Sequence, residues 1–474
     1  IQASVNGMYQ AAQVGYYTGS GRGYVWGAAY TQQNDMRGED GVNTAAFYQT
    51  TYQASYDGNS ANNVYYWVDG YRLINRCNLV IEGVANAVNA GIIDQATGDD
   101  YIGQAKFLRA ITHFELLVHF ARPYQDNPTT NLGVPYRDYA INNSSAVDLA
   151  FNDGRLTVAE SYIRVLEDLD DAENMISETA LYKGTRNAAI AFKARVKLHK
   201  ADWPGVLTEI AKIESSYSLT ATPSGVFDNN STNTESIFSI QHSPAVNPGV
   251  NAALASQYKR RMLVAISPII WNDPEWLVDD LRRNETTDSG SSDDTGNIVY
   301  SSAGVKYSNK YRDTSTYSDN TPIIRFAEVL LMKAEAEARV ANSVTTDALN
   351  ALNAVRNRAL SNPDSQGYTL ASFSSAADFV QKVIKERRIE FLLEGRRWAD
   401  IHRLQNDALA PINGIPAKLA NGVIPSDSYT PGTPYTGALG TPAIPYSNYR
   451  FVWPLPILET SVNPVLAEQQ NPGY

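Results

Sequence analysis

The sequence contains a single cysteine, Cys77, so no disulfide can close within the chain and no zinc site can be built on thiolates. Cys77 sits in the apolar run YRLINRCNLVIEGV, where a packed thiol is expected. There are only five histidines: His113, His119, His199, His242 and His402. They form no His-Glu-x-x-His or other metal-ligand spacing, and His113 and His119, six apart, fall on different faces of one helix. No metal and no cofactor are expected. The glycines of TGSGRGY, near Gly19, are followed by no Lys-Ser/Thr and lack dinucleotide spacing, and no Gly-x-Ser-x-Gly elbow occurs. The acids of TTDSGSSDDTGN do not fit the calcium-loop register. No stretch approaches the ~20 apolar residues of a membrane-spanning helix. The net charge is −11, which repels phosphate backbones and excludes a nucleic-acid partner. The chain opens on Ile1 with neither initiator methionine nor signal peptide, which reads as a mature or trimmed form.

What the sequence has in excess is tyrosine: 29, against 13 Phe and 7 Trp. A ring with a hydroxyl suits wet, semi-polar contact surfaces, and also helix packing with the hydroxyl at solvent. With 43% hydrophobic and 19% charged residues, the composition is that of a folded globular protein. A length of 474 fits two to four domains or one long helical array.

Two helix-rich blocks flank an irregular middle. In the first, residues 62–215, AKFLRAITHFELLVHFARPY places Phe107, Ile111, Phe114, Val118 and Ala121 on one face and stops at Pro123. LTVAESYIRVLEDLDDAENMI repeats the pattern with Val158, Tyr162, Val165, Leu169, Ala172 and Ile176, and Thr157 with Glu160 predicts a capping box. The middle, residues 217–321, is rich in turn-forming residues, with one short strand in SIFSIQHS. In the second block, residues 322–405, TPIIRFAEVLLMKAEAEARV and TTDALNALNAVRNRAL form a hairpin. AADFVQKVIKERRIEFLLEGRRWADIHRL reads as one long charged helix with Arg396–Asp400 and Glu394–Arg397 pairs. Residues 406–474 are loop-rich. Paired helices with alanine contacts predict TPR-like stacking, so the fold class is mainly α, a helical-repeat scaffold with a large irregular region.

Several segments, in order, resemble one family. GQAKFLRAITHFELLVHFARPY with LGVPY, RLTVAESYIRVLEDLDDAE, TRNAAIAFKARVKLHKADW, ESIFSIQ, IIRFAEVLLMKAEA, LNAVRNRA, IKERRIEFLLEGRRWADIHRL and the closing VWPLPILETSVNPVLAEQQNPGY are similar to the SusD/RagB pattern. The resemblance implies a single SusD-like domain over residues 1–474. It also implies a surface lipoprotein of a Bacteroidetes-type outer membrane, active in polysaccharide utilisation. Such a protein binds an oligo- or polysaccharide without catalysis and partners a SusC-like TonB-dependent transporter. The lipid-bearing cysteine would lie upstream of Ile1.

Composition places the ligand site in two segments, NDMRGEDGVNTAAFYQTTYQASYDGNSANNVYYW and SQYKRRMLVAISPIIWNDPEWLVDDLRR, and in the aromatic middle. The candidate ligand-binding residues are Asp40, Tyr48, Tyr52, Tyr56, Tyr258, Trp271, Trp276 and Tyr300, with rings to stack on sugar CH faces and polar neighbours to bond hydroxyls. No catalytic residue is assigned. The run Glu386, Arg387, Arg388, Glu390, Glu394, Arg396, Arg397 and Asp400 has the look of a catalytic cluster. Arginines within one turn of each acid, however, hold carboxylates ionised, where a glycosidase needs a protonated acid, so a bridging role is expected. The alternatives are a helical-toroid glycoside hydrolase or lyase, and a peptide-binding or TPR-type adaptor.

Overall fold

A computed structural model describes residues 1–15, 21–227, 233–291 and 296–474. Parts of TGSGRGY and of TTDSGSSDDTGN lie outside the described residues.

The expected helices form, and they stack in chain order. Helix Ala61–Asn89 packs on Gln95–Phe120, which packs on Val158–Met175, then Arg186–His199, then Trp203–Ala211. The chain then leaves the stack. It returns as Phe326–Ala341, which packs directly on Trp203–Ala211 and carries the array into Thr346–Asn357 and Ala376–Glu390. The array is thus continuous in space although more than a hundred residues interrupt it in sequence, as a solenoid of helix pairs permits.

Local chemistry sets the helix ends. Asp94 caps Gln95–Phe120 by accepting from Thr97 N. Thr157 and Glu160 make the reciprocal capping box at Val158–Met175. Gln95–Phe120 ends at Ala121, which is extended two residues before Pro123. Because this helix has neighbours on both sides, it is buried beyond its apolar face, and Arg109 on it forms a two-pronged pair with Asp168 at 2.6 and 2.7 Å. Cys77 is fully buried, and burial pushes its thiol up to about 12.

Two expectations are corrected. Residues 376–404 are not one helix. Ala376–Glu390 stops, Leu393 and Gly395 take left-handed φ angles of 58° and 72°, and a short helix Arg397–Arg403 follows. Gly395 is required there, because a Cβ would lie 3.0 Å from Thr31 Cα. The helical pairs Glu394–Arg397 and Arg396–Asp400 do not form. Glu394 instead meets Lys310 and Arg325, Arg397 meets Glu39, Asp400 meets Arg387 and Arg403, and Arg396 donates to the Tyr30 hydroxyl.

The middle segment is also more ordered than its composition predicts. Strand Ser236–Ile240 pairs antiparallel with Thr321–Arg325, closing the neck of the insertion where it leaves the array. Beyond the neck, five short strands form a sheet in the order Gly41–Asn43, Val264–Ile266, Val305–Ser308, Val299–Ser302, Glu285–Thr286. The insertion, the sheet and residues 24–52 enclose a second hydrophobic core, distinct from that of the array.

Candidate functional site

The structure places all eight sequence-selected ligand residues in the interior, none more than 6% exposed. Tyr48, Tyr52, Tyr258, Trp271, Trp276 and Tyr300 belong to the second core, and Tyr56 to the first. Three of the tyrosines spend their hydroxyls inward. Tyr52 donates to Leu419 O at 2.8 Å, Tyr258 to Asp35 at 2.7 Å, and Tyr56 to Arg450 O. Trp271 and Trp276 meet edge to face at 5.2 Å beneath the Arg283 guanidinium, and Tyr300 leans on Tyr307. Asp40 accepts from Arg388 at 2.9 Å. The expectation of solvent-facing stacking rings at these positions is therefore corrected. A segment poor in aliphatic residues builds its core from rings, which bury much area per residue, and their faces are already taken.

These buried rings hold up a layer that does face solvent. Phe47, 40% exposed, stands edge-on against Tyr48 with centroids 4.7 Å apart, and the Arg22 guanidinium lies 4.1 Å over its ring. Tyr65, half-buried, meets Tyr24 edge-on at 5.3 Å. Asn62 locks the two together, accepting from the Tyr24 hydroxyl and donating to Phe47 O, both at 2.9 Å. Thr44 reaches across to the insertion, its N–H to Leu263 O at 3.1 Å and its hydroxyl to Met262 O at 2.6 Å, which ties the segment that follows Arg260 and Arg261 to the one that leads into Phe47. Arg260 in turn holds Tyr317. Met262 and Tyr317 are both left-handed, at 53° and 57°, a conformation that costs energy for bulky side chains and re-aims them.

Electrostatically this rim stands out on a chain of net charge −11. Among the described residues, no carboxylate pairs with Arg22, Arg260 or Arg261. Burial pushes the Tyr48 hydroxyl above its ordinary range, while Arg22 and Arg261 pull it back, so both guanidiniums sit within electrostatic reach of that one ring. Rings beside arginines that no described carboxylate neutralises, with amides nearby, can stack on apolar faces and donate to hydroxyl or acidic oxygens. Sequence reasoning passed over Phe47, Tyr65 and Arg22. The doublets Phe47–Tyr48 and Tyr65–Tyr66 carried a usable signal, since neighbouring side chains leave a helix about 100° apart and a core that takes one ring leaves the other nearer its edge.

The acid-rich run lies elsewhere, at the seam between array and insertion. Arg282, Lys310, Arg325, Arg356 and Arg358 face Glu235, Asp280, Glu386, Glu390 and Glu394, five cations against five carboxylates in one buried network. Burial alone would raise the Glu390 carboxyl, but Arg358, Arg325 and Arg282 outweigh it and hold the group well below the usual carboxylate range. No group of three or more metal-ligating side chains exists among the described residues, and none of the described helices is long and apolar enough to cross a membrane.

Comparison with known proteins bears on both halves of the chain. The family model described as "Starch-binding associating with outer membrane" matches residues 6–198, and the model described as "SusD family" matches residues 271–474. SusD-like protein P2 of Formosa agariphila is 25% identical over 455 residues, covering 86% of this chain and 80% of its own. A SusD superfamily protein from Bacteroides fragilis superposes with a TM-score of 0.77 at 24% identity, over 98% of this chain and 97% of its own. A SusD-like carbohydrate-binding protein from Bacteroides vulgatus does so with a TM-score of 0.73 at 20% identity, over 98% and 96%.

Proposed function

Since the chain is a SusD-like protein, matched in both halves by models of that family, we propose that it binds an extracellular saccharide at the loop face around Phe47 and does not cut it. It hands the saccharide to a SusC-like TonB-dependent transporter from a lipid-anchored position on the outer membrane. The supporting observation is the exposed Phe47 ring under Arg22, set on buried Tyr48, with Tyr65 on neighbouring Tyr24 and, among the described residues, no carboxylate on Arg22 or Arg261. A rigid ring above a packed core loses little freedom on binding, so its stacking contribution is kept as affinity.

The acids support binding without cleavage. General acid catalysis on a glycoside needs a carboxyl that keeps its proton near neutrality, on a cleft wall opposite a second carboxylate. Glu386, Glu390, Glu394 and Asp400 are buried and committed to arginines or lysine, and Asp35, which burial pushes up to about 7, is itself enclosed and bonded to Tyr258 and Gly395 N. Glu386, Glu390 and Glu394 join the array to the insertion, and Asp400 ties together the two helices that flank the break after Glu390.

Isothermal titration against a panel of neutral and acidic polysaccharides tests the reading. Binding to at least one, weakened by Phe47→Ala and with no reducing ends released, is the expected result. Silence across the panel refutes it. Co-purification with a TonB-dependent transporter, and a lipidated cysteine upstream of Ile1, test the partner and the anchor.

A further inference from the structure

One large groove takes no part in the loop face. It has a cavity of about 660 Å³, within the range of about 300–1,000 Å³ typical of small-molecule sites. One wall is the N-terminal helix Gln2–Val14, which buries Val5, Met8 and Ala12 and packs on Ala61–Asn89. It turns Ala3, Asn6, Gly7 and Gln10, three and four apart, toward the groove. The opposite wall is the turn at Tyr182 and Lys183 together with the chain from Ile240 to Ser243 that leaves the neck strand.

The walls are fixed to each other. Gly184 N donates to the Tyr9 hydroxyl at 2.7 Å, and that hydroxyl donates to Gln104 at 2.9 Å. The buried Gln13 amide donates to Gln241 O at 3.2 Å and lies 2.8 Å from His242 Nδ1. What faces the space is one free ring and free amides. Tyr182 is 45% exposed, and among the described residues it has no ring neighbour and the exposed side chains of Gln10 and Gln241 make no hydrogen bond. Among the described residues the groove carries no uncompensated charge. Lys183 is paired with Glu178 at 2.9 Å, and burial pushes His242 down to about 4, so it is neutral at physiological pH.

An open-faced ring beside primary amides, in a neutral preformed groove, matches a ligand with apolar CH faces, many hydroxyls and no charge. We propose that this groove is a second saccharide site, for neutral oligosaccharides, separate from the arginine-lined loop face. The proposal rests on the reading of the chain as a saccharide binder, and it assigns a different surface and a different ligand charge.

The groove can be plugged without harming the fold. A Cβ built on Gly7 meets nothing within 4 Å, so a large side chain there enters open space. Maltoheptaose, cellohexaose, xylohexaose and an acidic oligogalacturonate are titrated by calorimetry and saturation-transfer NMR against four proteins: wild type, Gly7→Phe, Tyr182→Ala/Gln241→Ala, and Arg22→Ala/Phe47→Ala. At least one oligosaccharide is expected to bind wild type and the loop-face variant alike, and to lose at least tenfold in affinity in both groove variants, with their thermal midpoints no lower than wild type. Groove variants that titrate like wild type overturn the proposal and leave the loop-face reading intact. Loss of all binding in the loop-face variant alone does the same. If no neutral oligosaccharide binds any of the four proteins, or if an oligogalacturonate binds the groove as tightly, the neutral-saccharide assignment falls.

Discussion

Replacing Arg325 with methionine removes one cation from the five-against-five network and leaves the shape of the aliphatic stem. Arg325 is fully buried on the neck strand Thr321–Arg325 and reaches Glu235 at 2.6 Å, Glu390 at 2.8 Å and Glu394 at 2.9 Å. Breaking a buried pair by deleting one partner costs about 3–5 kcal/mol, because the other charge stays desolvated. The unfolding entropy of about 2.1 cal/mol/K per residue amounts to roughly 1 kcal/mol/K over 474 residues. Cooperative unfolding would therefore convert the loss into a fall in melting temperature of about 3–5 °C. The effect depends on pH. In the wild type, burial would raise the carboxyls of Glu390 and Glu235, but the arginines outweigh it and hold them low. That stability is present above the unfolded carboxylate pKa and is lost only as pH falls well below it. Without Arg325 the uncompensated acids take up protons at higher pH, so the gap between variant and wild type narrows from pH 7 toward pH 4. Scanning calorimetry at both pH values reads this directly. The double variant Arg325→Met/Glu394→Gln is expected to be less destabilised than the two single changes added together. A loss below about 1 kcal/mol at pH 7, or one independent of pH, refutes the view that this network joins the two cores.

Phe47→Ala removes one stacked ring worth about 1 kcal/mol and is expected to weaken saccharide binding about fivefold, with an unchanged melting curve, as read by titration and calorimetry. Gly395→Ala forces a Cβ against the Thr31 backbone at 3.0 Å in a left-handed position, and a loss of about 1–3 kcal/mol is expected in urea unfolding. Asp35 is pushed up to about 7 by burial, against the hydrogen bonds from Tyr258 and Gly395 N and the pull of Lys310 and Arg396. The folded state thus holds a proton that the unfolded chain releases near pH 4, and wild-type stability declines as pH rises from about 4 to about 7. Relative to wild type, Asp35→Asn is expected to gain stability across that window and to stay level above it, as followed by melting temperature against pH.

The helical frame was legible because its signals are local and repeated. Phe107, Ile111, Phe114 and Val118 share one face at any tertiary arrangement, and Thr157 with Glu160 caps a helix from three residues away. The break after Glu390 was not legible. In EFLLEGRRWAD strong helix formers flank a lone Gly395, which a helix can tolerate at a modest cost, and the close approach of Thr31 is what turns it left-handed. The candidate site was misread for a related reason. Composition marked Tyr48, Tyr258, Trp271 and Trp276 as sticky, which they are, but they stick to each other.

From the amino-acid order alone came the repeat architecture, the family likeness, the exclusion of disulfide and thiolate-metal chemistry, and the prediction that the clustered acids and arginines bridge elements. Which ring of Phe47 and Tyr48 meets solvent, which carboxylate each arginine takes, and the existence of a groove beside Gly7 were decided only when distant segments met. Periodicity is a property of neighbours along a chain, whereas exposure and charge pairing are properties of neighbours in space. Where 24–52 packs against 254–311, no spacing in the sequence records which of two adjacent rings the shared core has room for.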